Sequence, residues 1–285
     1  GIPILLFVYL ISPVLRLLLR FILFDHPLSL EGLKNIYRSL DFGIELGPMW
    51  FVILLLIFSI LYIFWNLLLK KLPLNFNIDL FIPNRFKLIT YALLIGASTF
   101  LIRIYFPIGF VFQPINLQVP FLLHYITLFI LGITAYRGKW LDLLEPTTIR
   151  FWRNFTLVLI ASMPGLFILS GGLDGDVTSA LGGLHWQSLA FALWEQLFCL
   201  GMMITLLSYF KQKKNHQNQL AKELAASSYA VYILHTPVLV IFTALLRELT
   251  VHPLIKILVF AIPVLSLCFL SAILIRRLPG FRSVL

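Results

Sequence analysis

SSYAVYILHTPVLV, residues 227–240, reads as membrane-spanning helix, yet it places an ionisable ring, His235, among side chains that belong in hydrocarbon. The apolar segment around it, 225–247, is long enough at ~1.5 Å per residue to cross a hydrocarbon layer of ~30 Å. The whole chain shares this character. Of its 285 residues, 60% are apolar and 12% charged, and the mean hydropathy is +0.96. A soluble domain would carry about a quarter charged residues. With no water inside a bilayer to satisfy the backbone, helices are the form such segments take. The fold class is therefore an all-α polytopic membrane protein.

Eight spans are expected, at about 2–24, 48–69, 87–106, 121–136, 152–170, 186–209, 225–247 and 254–276. The fourth is short and can start earlier in its loop. The opening run, IPILLFVYLISPVLRLLLRFILF, lacks a basic leader and a small-residue cleavage site, so it reads as a span rather than a signal peptide. Loops 70–87, 137–153 and 210–224 and the tail hold fifteen of the 22 basic residues, and the loops between them hold few. The positive-inside rule puts the basic set in the cytoplasm and, with eight spans, both ends of the chain as well. The net charge of +10 thus reflects membrane orientation and does not call for nucleic acid as a partner. Cys199 and Cys268 lie in apolar runs, as buried small hydrophobes without metal-ligand spacing. Loop 25–47 is long enough for an interfacial helix. Loop 171–185 is Gly-rich; its Asp174 and Asp176 do not complete a calcium-loop pattern.

Ionisable groups inside spans are costly and face a bundle interior or a wet cavity. The first span carries Arg16 and Arg20 on one helix face, the sixth carries Glu195, and the seventh carries His235. Glu195 and His235 each lie on the order of 15 Å from their entry faces, near the midplane. A short loop joins their spans, so the carboxylate can reach and orient the ring. Ser228, Tyr232 and His235 form a polar stripe on one helix face. Arg103, close to the outer end of the third span, can snorkel to the interface. His124 lies near the outer end of the fourth. For His235, hydrogen bonding between helices is an equally good account of the residue.

Four stretches carry a family resemblance. SSYAVYILHTPVLV resembles the SYxxYLxHxPV signature of the acyltransferase family 3 membrane proteins. GPMWFVILLLIFSILYIFW, QPINLQVPFLLHYITLFILGITAYRGKWLDLL and GGLHWQSLAFALWEQLFCLGM resemble, in order, other segments of that family, in the branch of glucan biosynthesis protein C. The resemblance implies a ten-helix bundle of which this chain is a single domain lacking the first two helices. It implies transfer of an acetyl or succinyl group from cytoplasmic acyl-CoA to a hydroxyl of an extracytoplasmic or lipid-linked glycan. It puts the base on the family's first helix, which would precede residue 1, and matches His235 to a late-helix histidine. Acyl-CoA is then a co-substrate, with no tightly bound cofactor, and the setting is a bacterial inner membrane.

On this reading His235 and Glu195 are the catalytic candidates. Arg16, Arg20, Tyr232, Ser228, Arg103 and His124 would hold the acceptor, and Arg137, Lys139, Arg150 and Arg153 would meet the phosphates of acyl-CoA. Two other readings stay open: a proton-coupled transporter or glycan flippase using Glu195 and His235 as a relay, and a decayed, non-catalytic scaffold.

Overall fold

The computed structural model describes residues 5, 7–24, 31, 32, 34, 35, 47–71, 84–113, 116–213, 217–246 and 249–277. A π-helical turn, Phe7–Ile11, leads into α1 (Ser12–Phe24). Then follow α2 (Trp50–Lys71), α3 (Arg85–Tyr105), a two-residue hairpin of β1 (Val111–Phe112) and β2 (Leu117–Gln118), and α4 (Leu122–Arg137). The remaining elements are α5 (Trp140–Leu143), α6 (Pro146–Leu169), α7 (Thr178–Leu181), α8 (Trp186–Lys213), α9 (Gln219–Leu245) and α10 (Pro253–Arg276).

Seven helices among the described residues are long and apolar enough to cross a membrane, and an eighth apolar helix, Phe7–Leu18, is shorter. Membrane-exposed flanks account for the many uncovered Leu, Ile and Phe side chains. The fourth span does begin early, in a 3-10 turn at Val119–Phe121 that continues into α4. The fifth starts six residues sooner than its hydropathy implies. Pro146 takes the first helical position, where its missing N–H costs nothing, and the helix therefore reaches well into the basic loop. Asn84 and Asn218 cap α3 and α9 through side-chain oxygens that accept from backbone N–H groups of the first turn. Most of loop 25–47, with its expected interfacial helix, lies outside the described residues; residues 31, 32, 34 and 35 are helical.

The chain divides into two compact units, residues 1–59, 113–116 and 217–285, and residues 60–112 and 117–216. In the first, α9 packs along α10 and against α1, and Phe7, Met49 and Ile233 form its core. In the second, α8 is the axis, with α3 and α6 packed on it. Its buried positions recur every fourth residue, at Ser188, Ala192, Gln196, Leu200, Ile204 and Ser208. The facing stripes are Leu88, Ala92, Gly96, Thr99 and Arg103 on α3 and Thr148, Trp152, Thr156 and Leu159 on α6. Lipid tails are as apolar as Leu, so helices gain by packing backbones closely, and small residues at the seam permit this.

Two glycines mark where the approach is tightest. A Cβ on Gly96 would lie 3.0 Å from the backbone of Leu193, and one on Gly201 would lie 2.3 Å from Thr156 Oγ1. Gly96→Val and Gly201→Val should each cost about 1–3 kcal/mol, the usual penalty for overpacking a tight interior. Thermal unfolding in detergent checks this, with Gly165→Ala as the silent control, because nothing lies within 4 Å of the Cβ it would add. An unchanged melting temperature for both valine variants would show that these helices do not pack at the glycines.

Candidate functional site

The second unit buries a charged pair. Arg103 has 0% side-chain exposure, and its Nη2 donates to Glu195 Oε2 at 2.7 Å. Its guanidinium also sits over the rings of Phe121, 4.8 Å from the centroid, and Phe191, at 5.9 Å. Arg103 Nε and Nη1 are buried without a hydrogen-bond partner, whereas Glu195 keeps 24% of its side chain exposed. So Arg103 does not snorkel to the interface. An unpaired guanidinium in hydrocarbon is far costlier than one held by a carboxylate, and Glu195 on the neighbouring α8 supplies it.

The end of α3 is clamped to hold this position. The Gly183 N–H donates to the Arg103 carbonyl at 3.0 Å, and Ile108 N–H donates to Leu181 O at 2.8 Å. Gly182 has no room for a side chain: a Cβ there would lie 2.5 Å from Pro107 Cβ and 2.8 Å from Arg103 O. Gly183 has φ +76°, a left-handed conformation that suits glycine. The Gly-rich loop is thus a lid fastened over the end of α3. In that loop Asp176 accepts from Thr178 N–H at 2.9 Å and from the Thr178 hydroxyl, and these bonds hold its pKa below the usual carboxylate range. Among the described residues no group of three or more His, Cys, Asp or Glu could hold a metal.

On α4, His124 stands beside the same stretch of α8. Its Nδ1 is 2.5 Å from Gln196 Oε1, and its Nε2 is 3.7 Å from Cys199 Sγ. Tyr125 lies within electrostatic reach of Glu195 and Arg103. Arg103, His124, Tyr125, Glu195 and Gln196 therefore gather at the end of the unit away from the basic loops. Sequence reasoning found Arg103, His124 and Glu195 singly and missed Gln196, Cys199 and Tyr125. The signal for Gln196 was its place in the four-residue stripe of α8.

The basic loops form the other end. Arg137, Lys139, Arg150 and Arg153 are exposed there, with Arg137 over the ring of Tyr62 at 5.5 Å. Lys211 donates to Leu141 O at 3.1 Å and to the Asp142 carboxylate, whose pKa this hydrogen bond lowers.

The first unit holds the other candidates. His235 Nδ1 is 2.6 Å from Tyr232 O, its Nε2 is 3.3 Å from Thr236 Oγ1, and the ring tilts against Tyr232. It borders an apolar cavity of about 550 Å³ between α9 and α10, with Leu239, Phe260 and Cys268. The polar stripe of α9 is only partly formed. Tyr232 donates its hydroxyl to Pro48 O, but Ser228 is exposed and donates to Leu224 O of its own helix. The serine that reaches another helix is its neighbour Ser227, fully buried, whose Oγ accepts from Arg276 Nη1 at 2.9 Å. Arg16 is half-buried on α1, and the side chain of Arg20 lies outside the described residues.

A multi-span helical protein that buries an arginine–carboxylate pair and a hydrogen-bonded histidine–glutamine pair inside one helix cluster places polar groups where they are costly, which in a membrane protein marks a functional site. The acyltransferase family 3 pattern, an acyltransferase domain, matches residues 1–275, and the chain belongs to that family. It is therefore a membrane acyltransferase in general class. No curated protein and no solved structure matches it.

The pair predicts a specific stability pattern. Glu195→Ala strands a buried guanidinium and should cost about 3 kcal/mol or more, while Arg103→Leu combined with Glu195→Leu should recover most of the loss. Unfolding of the three forms in detergent tests this. A double variant as unstable as Glu195→Ala would mean that the two side chains are not energetically coupled.

Proposed function

We propose that the protein is an O-acyltransferase of the glucan biosynthesis protein C-like branch. It moves an acetyl or succinyl group from cytoplasmic acyl-CoA to a hydroxyl of an extracytoplasmic or lipid-linked glycan. The observation that carries this reading is the family match over residues 1–275. Two features of the structure support it. The exposed Arg137, Lys139, Arg150 and Arg153 cluster at the end where a CoA phosphate would arrive. The Arg103–Glu195 pair lies toward the opposite end, where Glu195 keeps part of its carboxylate open to orient an acceptor hydroxyl. His235, with Tyr232 and its apolar cavity, belongs in this reading to a binding wall of the first unit, which an acyl or lipid chain would line.

The setting that goes with this activity is a bacterial inner membrane with the basic loops inside. A single cysteine introduced at Lys139 in a background without Cys199 and Cys268 should then react with an impermeant maleimide only from the cytoplasmic side, and one at Asp174 only from outside. The reverse pattern would invert the donor and acceptor sides.

The activity assay uses the full-length protein in vesicles loaded with acyl-CoA. Sustained release of free CoA thiol should require the glycan acceptor outside, and Glu195→Gln should slow it roughly 100-fold, the usual worth of a positioned acid–base group. Substrate movement coupled to protons without loss of acyl-CoA would sink the acyltransferase reading in favour of a transporter. Full activity in the Glu195→Gln form would remove the carboxylate from the mechanism.

A further inference from the structure

The acyl group must travel between two ends of a bundle, and the middle of α8 holds groups suited to carry it. Cys199 is the thirteenth residue beyond Trp186 in the 28-residue α8, so it lies roughly 20 Å from either end of the helix. Glu195, Cys199 and Met203 follow one another at four-residue steps along one face. The Cys199 thiol is 3.7 Å from His124 Nε2. His124 Nδ1 meets the carbonyl oxygen of Gln196, an acceptor only, so Nδ1 carries the ring proton and Nε2 presents its lone pair to the thiol. A nucleophile, a base and a group that fixes the base's tautomer are thus in line, drawn from α4 and α8.

Two further observations on the same stretch of α8 point to a ligand there. Gln196 is 4% exposed, yet its amide Nε2 has no hydrogen-bond partner, so a buried donor stands unsatisfied one turn from Cys199 along α8. An apolar cavity of about 590 Å³ also runs from Lys139 and Lys211, at the basic end, along α8 to Leu200 and Met203. The Met203 sulfur at its inner end is 3.9 Å from Cys199 Sγ.

Resting on the acyltransferase reading above, we infer that Cys199 is a nucleophile that takes the acyl group as a covalent thioester before the acceptor receives it. In the first step the Cys199 S–H proton passes to His124 Nε2, and the thiolate attacks the carbonyl carbon of an acyl thioester donor. The new carbon–sulfur bond forms, the donor's carbon–sulfur bond breaks, and the leaving thiolate takes the proton from His124. One thioester has been exchanged for another, with no oxidant or reductant needed. In the second step the acceptor hydroxyl oxygen attacks the Cys199 thioester, and its proton returns to the cysteine sulfur. Acylation of Cys199 draws only on Cys199, His124 and Gln196. Gln196 is a positioning residue: it acts through His124.

The test uses the full-length protein in detergent with radiolabelled acetyl-CoA, and separately succinyl-CoA, without acceptor. After acid quenching and digestion, label should appear on the peptide containing Cys199 and be released by neutral hydroxylamine. Cys199→Ala should lose the label and Cys268→Ala should keep it. His124→Gln should slow labelling roughly 100-fold. Gln196→Leu should slow it too, and Gln196→Glu, which restores an acceptor for Nδ1–H, should recover part of the rate, which a merely structural role would not produce. Mapping the adduct in the unmodified protein needs no variant to fold. Acyl transfer by unmodified protein that never carries label on Cys199 overturns the relay and leaves the acyltransferase reading in place, with direct transfer as its mechanism. Protein that neither takes label nor transfers from either donor overturns both.

Discussion

A guanidinium buried to 0% exposure among membrane helices is tolerable only with a carboxylate beside it, and the second unit is arranged around that requirement. Arg103 and Glu195 tie α3 to α8. The rings of Phe121 and Phe191 close over the cation, and the loop at Gly182 and Gly183 fastens the end of α3 so that the pair cannot drift. Closing the pair sets the register of α3 on α8. That register brings Gly96 against Ala192 and Leu193, and Leu88 into one core with Leu200 and Ile204.

The same register determines what α8 presents. Its buried stripe of small and polar residues is consumed by packing, and the adjacent face carries Glu195, Cys199 and Met203 in succession. One helix therefore serves two purposes at one turn: Gln196 is buried in the seam, and its carbonyl oxygen fixes His124 on α4. Neutral hydrogen bonds suit such a place, because an imidazole and an amide can satisfy each other without a buried charge. The charged groups that remain without buried partners, Arg137, Lys139, Arg150 and Arg153, stay at the solvent-facing end.

In the first unit the polar groups act mainly between backbone and side chain. His235 and Tyr232 are held by carbonyl oxygens, and Arg276 reaches Ser227. Their neighbour Pro237, inside α9, interrupts its hydrogen-bond ladder one turn beyond Ile233. This part of the protein offers an apolar surface with a polar ring at its edge. The buried arginine–carboxylate pair belongs to the second unit.

Composition and hydropathy period determined the class. In a chain that is 60% apolar, continuous apolar runs of about 20 residues with few charges form helices in a bilayer, since a helix bonds every backbone group within its own segment. Loop charge separated a basic end from the other, and motif order pointed to the family that the match over residues 1–275 established. The sequence also marked Arg103, His124, Glu195 and His235 as out of place, because an ionisable residue in an apolar run is conspicuous by itself. The pairing it suggested, Glu195 with His235, is not the one formed: the carboxylate accepts from Arg103, and His235 meets Tyr232 O and Thr236 Oγ1. Arg103 and Glu195 are 92 positions apart, and His124 and Gln196 are 72 apart, so only the packing of helices across the bundle decides which groups meet. Helix periodicity put Ser228 on a polar stripe, but the true seam is shifted by one residue to Ser227, about 100° around the helix. Hydropathy locates a span; the rotation of each helix about its axis, and with it the chemistry of the site, is set by the small side chains at the seam and the charge that must be matched there.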